Sequence, residues 1–325
     1  MSSSSSEVRS IGIDVGGTKI LGVALGPTGS IVDAVRLPTP QVSDRDLGRD
    51  VGTSVANAIA QVITTLADRV GLDPKSCALG LGVPGMVAFD GTLVFAPNLH
   101  GAIGANIAKL VAKRLGRRDV AIDNDANCAA MAEHHFGVAR GADHALLLTL
   151  GTGIGGAAIV NGVLLRGSNG FAGEFGHLMV DPRGPNCPCG SRGCLERFAS
   201  GAGLRHLAET AFTSGALASD VAASPETLLI AATNGDQGAL AVVDRFCWWL
   251  ARGIANLVAC FDPSIVVLGG GVIEGHHLIM GPTASYLSGE LEGGALRTPP
   301  LLVPTALGKD AGAVGAALLG ERAQP

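Results

Sequence analysis

The side chains best equipped for chemistry fall into short clusters separated by apolar segments. One is His177 with Cys187, Cys189 and Cys194, in a stretch broken by Pro182, Pro185 and Pro188. One imidazole and three thiolates suit tetrahedral Zn2+ in a closed, structural site. So proline-rich a loop has little core of its own, and a metal would be what orders it. The C-x-C-x4-C spacing is unlike a standard finger, and free or redox-active thiols are the other reading of these residues. Glu174 and Glu196 flank the cluster, so an ordered loop would fix both carboxylates in space. His177 has two ring nitrogens, one for a metal and one for a substrate hydrogen bond.

A second cluster is Asp123-Asn124-Asp125-Ala126-Asn127, where the apolar run VAI gives way to a helical pattern. The carboxyl end of a strand is where α/β folds place ligands. The Asp125 carboxylate there could take the proton of a hydroxyl nucleophile, an effect of about 10²–10⁴-fold, or it could simply cap the helix. Asn124 carries both donor and acceptor, which suits sugar hydroxyls.

Two glycine turns complete the set. In Asp14-Val15-Gly16-Gly17-Thr18-Lys19 the glycines let backbone N–H groups approach phosphate oxygens, while Thr18 and Lys19 add a hydroxyl and a cation. Asp14 could hold Mg2+ through water. The spacing is neither that of a P-loop nor that of the dinucleotide fingerprint, and a tight hairpin with an incidental lysine reads the same. The run from Gly151 through Thr152 and Gly153 to Gly156 offers a second nest of amides. Gly269-Gly270-Gly271 would suit a flat adenine or ribose lying on backbone, or a plain strand-to-helix turn.

The elements that must hold these residues follow a repeated plan. Ile11, Ile13 and Val15 alternate before the first turn, and Leu21, Val23 and Leu25 after it, which predicts two strands. A third strand is expected near Ser30–Leu37. A helix from about Ser43 to Val70 follows, with Leu47, Val51, Val55, Ile59, Val62 and Leu66 at helical spacing and Ser43 or Asp44 as N-cap. ALLLTLGTGIGGAAIV laid under SIGIDVGGTKILGVAL puts Gly151 under Gly16 and Thr149 under Asp14. A long helix over about Gln237–Cys260 precedes the strand SIVVLGGGV. Two hairpin-led α/β halves, each with a phosphate-like turn, suggest a cleft between two domains with a nucleotide across it. Two ordinary glycine-rich hairpins in one large sheet would give the same pattern.

Composition narrows the class. The 325 residues suggest about two domains. With 47% apolar and 16% charged residues the chain is no disordered protein, yet no run of about 18 apolar residues marks a membrane span. A net charge of −5 and pI near 5.9 argue against a general nucleic-acid binder and favour a small-molecule ligand. The start, MSSSSSEVRS, reads as a disordered tail without the apolar core of a secretory signal. With the cysteine spacing, it points to a reducing cytoplasm. Cys77, Cys128, Cys247 and Cys260 sit among apolar residues and read as small buried hydrophobes. His134-His135 and His276-His277 read as surface pairs, and Trp248 and Trp249 as core or interface.

Taken in order, DVGGTK, PNL, NDAN, LGTGIGG, AGEFGH, CPCGSRGCLE and LGGGV make the chain resemble the ROK family of sugar kinases and sugar-responsive repressors, from about Ile11 to Gly320. The resemblance implies a two-domain α/β fold of the actin/hexokinase-like (ribonuclease H-like) kind, with a duplicated βββαβα core and an interdomain cleft. A small α/β domain would span 11–122 plus 309–325, with the helix near Lys309–Leu319 crossing back to it. A larger α/β domain would span 123–308 and carry the zinc loop 177–194. The implied reaction is phosphorylation of the 6-hydroxyl of a hexose, glucose first, from MgATP. Asp125 then matches the catalytic base, and Gly85, Asn98, Asn124, Glu174, His177 and Glu196 match sugar-binding positions. Gly16, Gly17, Thr18, Lys19, Thr152 and Gly153 match the phosphate turns, with Asp14 beside Mg2+ and Gly270 and Gly271 near the nucleoside. His177, Cys187, Cys189 and Cys194 match structural zinc ligands. Asp123 departs from the family's usual Glu, and Ala102 from a frequent aromatic. Fructose, mannose or an N-acyl-hexosamine as acceptor, and polyphosphate as donor, are the alternatives. The family's repressors carry an N-terminal DNA-binding domain, for which the ten residues before the first strand leave no room. A homodimer or homotetramer is the family expectation.

Overall fold

The computed structural model describes residues 8–40, 51–96 and 99–323. Residues 1–7 of the expected tail, the Ser43 or Asp44 cap with Leu47, and Asn98 therefore lie outside the described residues. Ser10, expected to end the tail, is instead the buried first residue of the first strand, because it pairs with Leu25 of the second. The chain divides into two compact units, one from residues 1–140, 164–172 and 310–325, the other from 141–163 and 173–309.

In the first unit β1 (Ser10–Val15), β2 (Lys19–Leu25) and β3 (Ile31–Pro38) form an antiparallel meander. The chain continues through α1 (Val51–Val70), β4 (Ala78–Val83), the short pair β5 (Met86–Val87) and β6 (Leu93–Phe95), and α2 (Ile107–Leu115). It then enters β7 (Ala121–Asn124) and α3 (Asp125–His135). The sheet order is β3-β2-β1-β4-β7, with β4 parallel to β1 and β7 parallel to β4.

The second unit repeats this plan. It begins with the hairpin β8 (Ala145–Leu150) and β9 (Ile154–Val160), followed by β10 (Val163–Leu164). Helices α4 (Glu196–Ala199), α5 (Gly201–Thr213), α6 (Pro225–Thr233) and α7 (Gln237–Phe261) lead to β11 (Ile265–Gly269). After α8 (His276–Glu290), β12 (Leu301–Pro304) closes the sheet in the order β10-β9-β8-β11-β12. The duplication read from the sequence is thus two separate sheets of like order, not one large sheet. Finally α9 (Ala311–Arg322) returns to the first unit.

Side-chain size decides how the helices sit in the first unit. Val55, Ile59, Val62 and Leu66 form the buried stripe of α1, and Val62 and Leu66 fill the space over Gly22. Burying such side chains contributes roughly 1.5–3 kcal/mol each. Helix α9 is built almost wholly of Ala, Gly, Val and Leu, and it lies directly on the sheet backbone. A Cβ at Gly12 would drive into the Ala313 carbonyl, one at Gly80 into that of Ala316, and one at Gly315 into that of Cys128 on α3. This close approach accounts for part of the unusual glycine content.

The domain limits differ from expectation: the first unit runs on to residue 140 and also takes residues 164–172. The second domain was expected to begin at residue 123, but β7 hydrogen-bonds to β4 with Gly82 opposite Asp123 and Val83 opposite Asn124. With α3 packed on α9, Asp123–His135 belongs to the first unit. Among the described residues, no helix is long and apolar enough to cross a membrane. Cys77, Cys128 and Cys247 are buried as expected, whereas Cys260 is exposed, because it faces outward on the last turn of α7.

Candidate active site

The strand-to-helix junction of the first unit gathers the candidate acid–base groups. Asn124, not Asp125, caps α3: its Oδ1 accepts from Ala126 N at 2.8 Å and Asn127 N at 3.1 Å. Its Nδ2 donates to the Gly85 carbonyl at 3.0 Å. Gly85 has φ of 94° and a Cβ there would strike the Phe95 carbonyl, so only glycine places that carbonyl where Asn124 can use it. Both residues expected to touch sugar thus have a local task, and Asn124 has little hydrogen-bonding capacity left for a ligand.

Freed from capping, Asp125 accepts the Ala126 amide on Oδ1 at 2.9 Å. It keeps some solvent contact, yet the surrounding protein desolvates it and raises its pKa above the ordinary carboxylate range. Hydrogen bonds from the Ala126 amide and the Asn124 side chain act in the opposite direction. A buried carboxylate with a raised pKa is a stronger base once ionised.

Asp14, at the end of β1, is pushed up to about 7, first by burial and next by the negative charge of Asp125, with Lys19 opposing. Carboxylates that crowd one another in this way favour a cation between or beside them. Gly312 at the start of α9 lies against the Asp14 carboxyl, where a Cβ would come within 2.9 Å of Cγ. The adjoining turn is a tied hairpin, with Gly16 N donating to Lys19 O at 2.8 Å and Thr39 Oγ1 to Gly16 O at 2.6 Å. Thr18 and Lys19 stand exposed at its tip, and Gly17 is partly exposed beside them.

A network beneath this junction was not foreseen. Asp123 is buried; its Oδ1 accepts from its neighbour's amide, Asn124 N, at 2.7 Å and from Asn127 Nδ2 at 2.8 Å. Its Oδ2 accepts from Arg166 Nε at 2.7 Å. The shorter Asp at the family's Glu position is therefore fully engaged. Arg166 left no sequence signal, because its partner lies 43 residues away.

In the second unit the thiol loop closes on itself. Cys189 Sγ lies 3.7 Å from Cys194 Sγ, and Cys187 Sγ lies 3.8 Å from His177 Nδ1. The ligand atoms of His177, Cys187, Cys189 and Cys194 all fall within 4.8 Å of one another. Tetrahedral zinc, with Zn–S of about 2.3 Å and Zn–N of about 2.0 Å, separates its ligands by roughly 3.5–3.8 Å, so the donor set fits the ion. Burial raises the Cys187 thiol, which donates to Glu196 Oε1 at 3.1 Å. The other ring nitrogen of His177, Nε2, lies 3.9 Å from Glu174 Oε2, while Nδ1 is 3.6 Å from Glu196 Oε1. The loop thus brings Glu174, His177 and Glu196 together. A Cβ on Gly153 would sit 2.6 Å from Glu196 Oε2, so the second glycine turn abuts this group as well.

A cavity of about 890 Å3 opens within the second unit, lined among others by Gly151, Thr152, Gly271 and Gly275 and by side chains of α5, α6 and α8. Thr152 and Gly271 face it, while Gly270, with φ of 89°, is pressed on the backbone of Leu150 behind it. Ala202, Pro225, Leu229 and Val272 give it an apolar wall. Of the helices in this wall, α6 carries a local start signal, a Ser224–Thr227 capping box with Pro225 at its first turn. His276 and His277 are exposed as expected, but His277 also lines the cavity, its Nε2 3.1 Å from Thr233 Oγ1.

The chain belongs to the ROK family, whose model matches residues 10–323. Its mixed α/β architecture, with helices flanking the sheets, is the actin/hexokinase-like fold of ROK sugar-kinase structures. It is 34% identical over 319 residues to a glucokinase of Thermotoga maritima, covering 96% of each chain. A glucokinase of Streptomyces coelicolor is 33% identical over 335 residues, covering 97% of this chain and 98% of that one. Among solved structures, a ROK family glucokinase from Streptomyces griseus in complex with glucose and AMPPNP matches with a TM-score of 0.83 and 33% identity, covering 96% of this chain and 99% of that one.

Proposed function

We propose that this protein acts as a glucokinase, transferring the γ-phosphoryl group of ATP to the 6-hydroxyl of glucose. The observation that carries the reading is Asp125, a desolvated carboxylate with raised pKa that is released from helix capping by Asn124. The full-length likeness to glucokinases supports the choice of substrates.

Phosphoryl transfer asks mainly for positioning and charge neutralisation. Asp125 accepts the proton of the 6-hydroxyl as that oxygen attacks phosphorus, and Asn124 and the Ala126 amide hold its carboxylate in place. Asn98, Glu174, His177 and Glu196 hold the sugar hydroxyls. Lys19 and the amides of the two glycine turns meet the phosphate oxygens, where charge spreads in the transition state. The cavity beside Thr152 and Gly271 takes the nucleoside. Asp14 would hold Mg2+ through water, and the ion when bound neutralises phosphate charge. Zinc on His177, Cys187, Cys189 and Cys194 would be structural, fixing the loop that carries Glu174 and Glu196.

The test is a coupled assay of the purified protein that crosses glucose, mannose, fructose and N-acetylglucosamine with ATP and polyphosphate. Glucose with MgATP should give the highest kcat/KM. A higher value for another sugar or donor would reassign the substrate, and turnover of no pair would overturn the kinase reading.

A further inference from the structure

Arg197 follows the sugar-site candidate Glu196 on α4 and lines the same cavity as Gly151 and Thr152. Its Nε is buried without a hydrogen-bond partner, and among the described residues its side chain has no ion-pair partner. A desolvated guanidinium N–H is costly unless something accepts from it.

Several of the neighbouring amides are already committed. Gly201 N donates to Gly151 O at 2.8 Å and Ala202 N to Thr152 O at 3.2 Å, while Gly203 N donates to Ser200 Oγ at 3.1 Å. The opening amides of α5 are thus consumed in bracing the glycine turn. Gly151 N itself donates to Gly153 O at 3.0 Å. The other cavity arginine, Arg205, has a carboxylate near it. Glu226 is held below its ordinary range first by a backbone hydrogen bond, with Arg205 adding to the effect. Arg197 is the cation left over at the turn. Its place is rigid, since the next residue, Phe198, stacks on Trp249 of α7 with ring centres 4.0 Å apart.

We propose that Arg197 holds the condensed phosphate chain of the donor at the Gly151–Thr152 end of this cavity, with the nucleoside against Ala202, Leu229 and Val272. The proposal rests on the donor reading above and adds to it a residue that positions the phosphates. The guanidinium fork suits two phosphate oxygens at once, which a point charge does not.

Calorimetric binding of MgADP, adenosine and inorganic tripolyphosphate to the full chain tests it, with wild type, Arg197→Gln and Arg197→Lys. Arg197→Gln should weaken MgADP and tripolyphosphate by at least about tenfold, the scale of a charge-assisted hydrogen bond. Adenosine affinity and the KM for glucose should stay within about twofold, as for a change that leaves the fold intact. Arg197→Lys should fall between, because it keeps charge and loses the fork. Equal losses for MgADP and adenosine would mean that Arg197 only shapes the cavity, and no loss for either would mean that it touches no donor; both overturn the proposal. If wild type binds tripolyphosphate but not adenosine, the nucleoside cavity fails instead, and the tripolyphosphate arm alone decides for or against Arg197. Wild type that binds none of the three overturns both.

Discussion

Asp14 offers a test in which stability and function move in opposite directions. Its carboxyl is raised from 3.8 to about 7, first by desolvation and then by the charge of Asp125. The folded chain therefore keeps this proton at pH values where the unfolded chain has released it, so stability falls as pH rises from about 4 to about 7. At about 1.4 kcal/mol per pH unit that interval amounts to roughly 4 kcal/mol. The destabilisation is absent below the unfolded pKa and complete above the folded one. Asp14→Asn removes the titration while keeping the shape. Urea unfolding of both proteins at pH 4, 5, 6, 7 and 8 should show the variant gaining on wild type by roughly 4 kcal/mol across the series. The variant should be slower as a kinase at pH 8 even though it is the more stable protein there, the trade expected of a strained site. Saturating MgATP should shrink the gap, since a cation near Asp14 favours its ionised form. A stability difference that stays constant from pH 4 to 8 would refute the raised pKa and with it the crowding of Asp14 by Asp125.

Two further outcomes follow. Purified protein should carry about one zinc per chain by elemental analysis, and stripping it should raise the KM for glucose before far-UV dichroism changes, because Glu174 and Glu196 lose their frame first; zinc-free protein of full activity would contradict this. Gly315→Ala should cost at least about 2 kcal/mol in unfolding free energy, since its Cβ meets the Cys128 backbone, whereas Gly281→Ala in open space on α8 should stabilise by roughly 0.5–1 kcal/mol; equal effects on melting would undo the close-packing account of α9.

Much of the fold was legible because its signals are local. Alternating strands on either side of a glycine turn announce each hairpin within about a dozen residues, and the offset between Gly16 and Gly151 announces the duplication. The thiol loop was legible for the same reason, its Cys residues lying within eight positions and His177 ten before the first. What escaped depends on distant partners. That Asp123–His135 joins the first unit is decided by β4 and by Gly315 of α9, neither of which the sequence around residue 123 reveals. The roles of Asn124 and Asp125 at the start of α3 turn on which side chain reaches the amides, and the residue types permit either. The pairing of Arg166 and the gathering of α5, α6 and α8 around the second unit's cavity are likewise fixed by tertiary packing.

The central claim is that the Asp125 carboxylate accepts the proton of the attacking hydroxyl, and turnover of Asp125→Ala tests it most directly. With glucose and MgATP in a coupled assay, kcat should fall by at least about 10²-fold, while glucose binding to the same protein stays within about an order of magnitude. A variant that turns over at close to the wild-type rate would contradict the account.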